Sequence, residues 1–377
     1  MTIGIPRELN PNERRAPLTP NTVQKLTGLG AALKVEKGVG ASAGFSDQEY
    51  ENAGATVSDR HSVLSGSDVV LRLAKPPVEE IALLKEGSIH ISYLDPFNDR
   101  SLVQALADRR VDAISMEMIP RITRAQKMDS VSSQASLAGY AAVILAAERL
   151  DRVFPMMVTP AGTLTPAKVF VIGAGVAGLQ AIATAHRLGA RVEAFDTRPV
   201  VEDQVKSLGA QFVKIDLGET GQTKDGYAKE LSAQQLEKQQ EAMAAHCAGA
   251  DVVITTAQVF GREAPLIVTR KMLDGMRPGS IVIDMAVDSG GNVEGSRPDE
   301  EIAIDGVRII GASRLAGMYP VHASQMYSSN VGNLVTELWD KERGRLVLDA
   351  DDEIVKGCLV TKDGKVWNQR LQDLYVR

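Results

Sequence analysis

Lys168-Val169-Phe170-Val171-Ile172-Gly173-Ala174-Gly175-Val176-Ala177-Gly178 sets a β-branched apolar run directly against a G-x-G-x-x-G turn. The turn opens an apolar helical stretch, 177–188, which Gly189 stops. A second apolar run, 191–195, follows at once and delivers Asp196, 18 residues after Gly178. Each of these pieces has a physical role. Gly173 permits the tight turn, Gly175 lets the backbone approach a pyrophosphate, and Gly178 allows the helix to pack close to the strand. The helix start, at Ala174 and Val176, offers unpaired N–H groups and a positive dipole end to phosphate oxygens. Asp196 is placed to accept hydrogen bonds from an adenosine ribose, with Thr197 and Arg198 beside it. Its carboxylate would repel a 2′-phosphate, which favours NAD(H) over NADP(H), although Arg198 weakens that preference. The bland alternative is a Gly-rich turn without a ligand. The complete strand–turn–helix–strand–Asp order speaks against it.

Outward from this unit the pattern repeats. Apolar runs at 211–214, 251–255, 280–284 and 307–310 read as further short strands of a buried parallel sheet, and Thr256 and Ala257 leave the end of one of them. Toward the amino terminus, runs at 3–6, 33–36, 68–73, 88–93 and 112–115 alternate with helical stretches at 78–85 and 101–109. Thr19 reads as a helix cap with Pro20 in the first turn and Gly30 beyond the end. A long helix is expected over 131–150, then a linker broken by Pro155, Pro160 and Pro166. The polar stretch 219–238 reads as a long loop, of the kind that forms functional lids. Helices are expected at 329–340 and after Gly364, in a terminal segment too short for a domain of its own. The fold expected is α/β, with two Rossmann-like doubly wound parallel-sheet domains separated by a cleft. The first spans 1–132 and is completed by 318–377; the second, dinucleotide-binding, spans 133–317.

Composition excludes several classes. The 377 residues carry a net charge of −6 and only 4% aromatic side chains, which disfavours nucleic acid as a partner. The two cysteines, Cys247 and Cys358, make no disulfide framework and read as reduced thiols. His246 and Cys247 are adjacent and lack ligand spacing, so no metal is expected. The start of the chain shows no secretion signal, and the longest apolar run, 138–147, is short for a membrane span of about 20 residues.

Three further segments carry a resemblance. Gly4-Ile5-Pro6-Arg7-Glu8 and Asn12-Glu13-Arg14-Arg15-Ala16-Pro17-Leu18-Thr19-Pro20 are similar to the opening shared by transhydrogenases and alanine dehydrogenases. The segment Arg121-Ile122-Thr123-Arg124-Ala125-Gln126-Lys127-Met128-Asp129-Ser130-Val131-Ser132-Ser133-Gln134-Ala135 looks like a loop specific to transhydrogenases. Asp225-Gly226-Tyr227-Ala228-Lys229-Glu230-Leu231 looks like that family's mobile loop over the nucleotide. Over nearly its full length the chain resembles the NAD(H)-binding component (alpha-1 subunit, domain I) of proton-translocating transhydrogenases.

That resemblance implies NAD(H) as bound substrate, direct hydride transfer to NADP⁺ on a partner subunit, and coupling to proton movement by a membrane-spanning subunit. It implies a homodimer held at the cytoplasmic side of the inner membrane through these partners, in a free-standing subunit form. It places Arg121, Gln126 and Asp129 around the nicotinamide, with Ser132 close behind and Tyr227 over the nucleotide. The residue types suit those positions. Asp129 can accept from the carboxamide, Arg121 can pair with pyrophosphate or carboxamide oxygen, and Gln126 can bridge toward the second nucleotide. The plainer reading of this loop is a solvated connection with a helix cap at Asp129 or Ser130.

An alanine-dehydrogenase-like enzyme is the alternative. Arg15, Lys75 and Asp288 match that family's substrate-binding and catalytic positions, but its histidine appears here as Asp95, a poor substitute near neutral pH. Gln258-Val259-Phe260 also departs from the transhydrogenase pattern, which is more apolar there.

Overall fold

The computed structural model describes residues 1–218, 220–221, 231–258 and 260–376. It divides the chain into two compact units, residues 1–134 with 317–377, and residues 135–316.

The first unit is built on an eight-stranded sheet in the order Lys365–Val366, Leu359–Lys362, Asp112–Ser115, Ile89–Ser92, Val69–Leu71, Thr2–Ile5, Ala32–Glu36, Ala55–Ser58. From Asp112–Ser115 to Ala55–Ser58 every neighbour is parallel. In chain order these six run 3-2-1-4-5-6, the doubly wound arrangement, with the order reversing beside Thr2–Ile5. Ile3, Ile5, Val69, Leu71 and Ile91 are buried, as expected of strands covered on both faces. The carboxyl-terminal segment completes this sheet. Leu359–Lys362 adds antiparallel to Asp112–Ser115, and Thr361 Oγ1 donates to the carbonyl of Val111.

Local chemistry moves several expected boundaries. Thr19 does sit at the cap position of the helix Pro20–Gly28, but its side chain makes no cap bond. Its hydroxyl lies 3.3 Å from Ser328 Oγ instead. The strand Ala55–Ser58 and the short helices Asp47–Asn52 and Arg60–Ser65 add to the expected elements; both helices carry side-chain caps, Ser46 and Asp59. The late helix begins at Pro320 and runs to Leu338, earlier than the expected 329. Ser324 and Ser328 interrupt its apolar face; both are buried and accept the backbone N–H groups of Ala16 and Thr19.

The second unit holds a seven-stranded sheet, Gln211–Phe212, Arg191–Phe195, Lys168–Ile172, Val252–Thr255, Ile281–Asp284, Val307–Gly311, Glu301–Ile304. All pairs are parallel except the last. The parallel strands again run 3-2-1-4-5-6, so the order reverses between Lys168–Ile172 and Val252–Thr255. Phe170, Ile172, Phe195, Val253, Val282 and Ile309 form the core on one face with Met243 and Cys247.

Two expectations are corrected here. The polar stretch is shorter than 219–238, because a capping box between Ser232 and Gln235 starts a helix at Ala233 that continues to Gly249. The apolar stretch near residue 140 is longer than expected. The helix Ser130–Arg149 has 20 residues and a mean hydropathy of 1.3, long and apolar enough to cross a membrane by length and composition. Its small residues serve packing in the second unit: a Cβ on Gly139 would lie 2.1 Å from the carbonyl oxygen of Ala177.

Candidate functional site

In the second unit, the carboxyl ends of Lys168–Ile172 and Val252–Thr255 meet where the strand order reverses, and the Gly173–Gly178 turn lies over that point. Gly173 has φ +101°, and a Cβ there would lie 2.4 Å from Thr256 Oγ1. A Cβ on Gly178 would lie 1.8 Å from the carbonyl oxygen of Gly173, so helix and turn are in direct contact. Gly175 differs: a Cβ there meets nothing within 4 Å. It caps the 12-residue helix Val176–Arg187 with no side-chain bond. The space in front of its backbone and of the first-turn N–H groups is therefore open, as a phosphate cradle requires.

Neighbouring strands hold the turn. The N–H of Gly173 donates to the carbonyl of Phe195 at 2.8 Å, and Thr256 Oγ1 donates to the carbonyl of Gly173 at 3.0 Å. Ala174 N–H donates to Asp196 Oδ2 at 2.7 Å. Asp196 is bound by Arg198 as well, through backbone N–H and Nε to Oδ1 at 2.8 and 2.9 Å and through Nη2 to Oδ2 at 2.8 Å. The carboxylate holds this guanidinium above its ordinary pKa. Thr197 stands half-buried between them, and Val176 is exposed.

No pattern in the sequence points to Asn292. Its side chain is buried and accepts from Ala257 N–H at 3.0 Å, while Nδ2 donates to the carbonyls of Ala257 and Pro265, both at 2.9 Å. Buried Asp284 in turn accepts from the backbone N–H of Asn292 and of Ala286. These two side chains fix the loop after Thr256. Only Gly290-Gly291 hints at them, both with positive φ.

In the first unit, Thr123–Met128 forms a 3-10 turn with Ala125 and Met128 buried and Gln126 exposed. Arg121 is exposed at its start. Asp129 accepts from Ser132 N–H at 2.9 Å and Ser132 Oγ at 2.6 Å, so it caps the long helix. The segment is pinned from behind. Asn330 and Asn333 both donate to the carbonyl of Lys127 at 3.0 Å, Lys127 pairs with Glu337 and Arg124 with Asp352. Arg121, Gln126, Asp129 and Ser132 thus share one braced segment of the first unit. Gly173, Ala174, Gly175, Val176, Gly178, Asp196, Thr197, Arg198, Thr256 and Ala257 gather at one end of the second unit's sheet. Tyr227 lies outside the described residues, as do residues 225–230 of its loop.

The residues behind the alternative reading are engaged differently. Arg15 donates to Glu13 through Nε at 2.8 Å and Nη2 at 2.7 Å, and to Gln134 through Nη1 at 2.9 Å. Lys75 pairs with Asp99 at 2.7 Å, and Asp288 accepts from Ser313 Oγ at 2.5 Å. Asp95 is exposed in a turn with φ +50°; its N–H is held by Glu117, a carboxyl that burial pushes above its usual range. His246 pairs with Glu193 at 2.7 Å, and burial pushes the thiols of Cys247 and Cys358 up to about 12. Among the described residues no three metal-ligating side chains cluster.

Comparison with known proteins agrees with this geometry. The sequence profile of the alanine dehydrogenase/PNT amino-terminal domain matches residues 4–138, and that of the carboxyl-terminal domain matches 142–369. The chain is 43% identical to the first of the separate chains that make up the NAD(P) transhydrogenase alpha subunit of Rhodospirillum rubrum, over 97% of each chain. The transhydrogenase structure from Sinorhizobium meliloti superposes with a TM-score of 0.88 at 43% identity, covering 97% of this chain and 100% of that one. An L-alanine dehydrogenase structure superposes with a TM-score of 0.83 at 26% identity, covering 100% and 99%. The chain belongs to the alanine dehydrogenase/PNT family, with NAD(P) transhydrogenase alpha subunits among its relatives.

Proposed function

We propose that the chain binds NAD(H) on the Gly173–Gly178 turn and presents it for direct hydride exchange with NADP(H) held on a partner subunit. The observation that carries the binding step is the open backbone at Gly175, at the reversal of strand order, with the Asp196 carboxylate at the end of the adjacent strand. Pyrophosphate oxygens fit the first-turn N–H groups, and the ribose fits the carboxylate. The Rhodospirillum rubrum relative's name supports assignment to a transhydrogenase.

In the overall reaction the hydride on C4 of NADH moves to C4 of the NADP⁺ nicotinamide, giving NAD⁺ and NADPH without proton release. No general acid or base is needed in that step, so this chain's residues act by binding, orienting and excluding water. Asp129 and Arg121 would orient the nicotinamide carboxamide, and Gln126 would face the second nucleotide. Ser132 and Tyr227 would complete the enclosure. A membrane-spanning partner would couple the exchange to proton movement, with this chain as a homodimer on the cytoplasmic side.

An amino-acid dehydrogenase reading is disfavoured by Arg15, whose three terminal nitrogens are all taken by Glu13 and Gln134. Titration of the isolated chain with NADH, followed by nicotinamide fluorescence, tests the binding step. Saturable binding without NAD⁺ reduction by L-alanine is expected. Alanine-driven turnover would overturn the proposal.

A further inference from the structure

Asp196 presents a satisfied carboxylate. Two donors reach each oxygen: Arg198 N–H and Nε reach Oδ1 at 2.8 and 2.9 Å, and Ala174 N–H and Arg198 Nη2 reach Oδ2 at 2.7 and 2.8 Å. An ionised carboxylate offers about four lone-pair sites, so these four donors fill it. The side chain is 6% exposed and that of Arg198 is 14% exposed.

A ribose hydroxyl can therefore bond Asp196 only when a donor leaves. The two backbone donors are fixed by the turn, since Ala174 follows Gly173, itself tied to the carbonyl of Phe195. The Arg198 side chain has rotatable bonds and an exposed edge. When it swings away it frees one lone pair on each oxygen. Two acceptors side by side are what the 2′- and 3′-hydroxyls of an adenosine ribose require. A nucleotide with a 2′-phosphate has no 2′ donor to replace the guanidinium. For such a nucleotide Arg198 is a counter-charge that cancels Asp196 and can take the phosphate in a bidentate pair.

We infer that Arg198 is a specificity-determining residue: it competes with the adenosine ribose for Asp196 and so reduces the preference for a free 2′-hydroxyl over a 2′-phosphate. This inference rests on the dinucleotide reading of the turn. It goes further, because Asp196 alone would make the site strongly selective, whereas the Asp196–Arg198 pair makes it less so.

The test is a pair of fluorescence titrations, NADH and NADPH, on the full chain and on Arg198→Leu and Arg198→Lys. In Arg198→Leu, NADH binding should tighten and NADPH binding weaken, raising the ratio of their dissociation constants roughly tenfold, the order expected for losing a charge-assisted pair. Arg198→Lys keeps the charge but not the two-bond fork. Its ratio should fall between the two, and it decides the matter if Arg198→Leu melts before it can be titrated. An unchanged or reduced ratio in variants that keep the wild-type unfolding midpoint would overturn the inference while leaving NADH binding intact. A wild-type chain that binds neither nucleotide would overturn the dinucleotide reading itself, and this inference with it.

Discussion

Glu13 grips Arg15 through two parallel hydrogen bonds, Nε to Oε1 at 2.8 Å and Nη2 to Oε2 at 2.7 Å, with only 5% and 10% of their side chains exposed. Burial opposes the charge on Arg15, and the Glu13 carboxylate more than compensates, holding the guanidinium above its ordinary pKa. A substrate carboxylate would have to displace an internal one that is already well placed. Removing one partner leaves the other charge buried and unpaired. Glu13→Gln should therefore lower the unfolding free energy by about 3 kcal/mol. Urea denaturation checks this, and a loss below about 1 kcal/mol would show that the pair is not a structural clamp.

Gly175 and Gly178 should separate binding from folding. Gly178→Ala puts a methyl 1.8 Å from the Gly173 carbonyl oxygen and must shift the helix or the turn. Gly175→Ala meets no protein atom within 4 Å. Its melting temperature should stay close to wild type, with a stability change within about 0.5 kcal/mol, while NADH affinity falls at least tenfold. Unimpaired NADH binding in Gly175→Ala would place the pyrophosphate elsewhere.

Asp129 caps a helix and is also assigned to the nicotinamide. Asparagine caps as well as aspartate, whereas alanine loses about 1 kcal/mol. Asp129→Asn should keep wild-type stability yet slow hydride exchange with the partner subunit. Asp129→Ala should lose both. If Asp129→Asn exchanges hydride at the wild-type rate, the carboxylate is a cap alone.

His90 gives the first unit a pH dependence. Burial, with Arg72 nearby, lowers its pKa to about 3, so the folded chain holds it neutral. Nε2 lies 3.0 Å from Ser92 Oγ. The unfolded imidazole titrates near 6.5, so below that pH the unfolded state binds the extra proton. This contribution is fully present above pH 6.5 and is lost as pH falls toward 3, at up to about 1.4 kcal/mol per pH unit. Buried Glu8 and Glu117, both raised by burial, titrate in the opposite sense. The difference between wild type and His90→Gln isolates the histidine: the variant's unfolding free energy should fall less steeply over this range. Parallel curves would contradict the assignment.

Much of the fold is legible in the sequence because its causes are local. Gly173, Gly175, Gly178 and Asp196 stand in an order that only one kind of turn satisfies, and three β-branched or apolar residues in a row mark most strands. Asp129 is legible both as a cap and as a site residue, and the structure shows the first role directly. What escapes depends on contacts distant in sequence. Asn292 reaches Ala257 across 35 residues, and no pattern around either residue announces the bond. The start of the helix at Pro320 is hidden because Ser324 and Ser328 are buried to receive the N–H groups of Ala16 and Thr19, so its apolar period breaks. The strand Leu359–Lys362 joins the first sheet across 250 residues, through Thr361 and Val111.

Hydride exchange between two nucleotides on two chains is the central claim. The most direct measurement mixes this chain with a transhydrogenase NADP(H)-binding subunit, NADH carrying deuterium at C4, and NADP⁺, and reads the label by mass spectrometry. Deuterium should appear at C4 of NADPH, undiluted by solvent protons, and only when both chains are present. No transfer, or label lost to water, would contradict direct exchange.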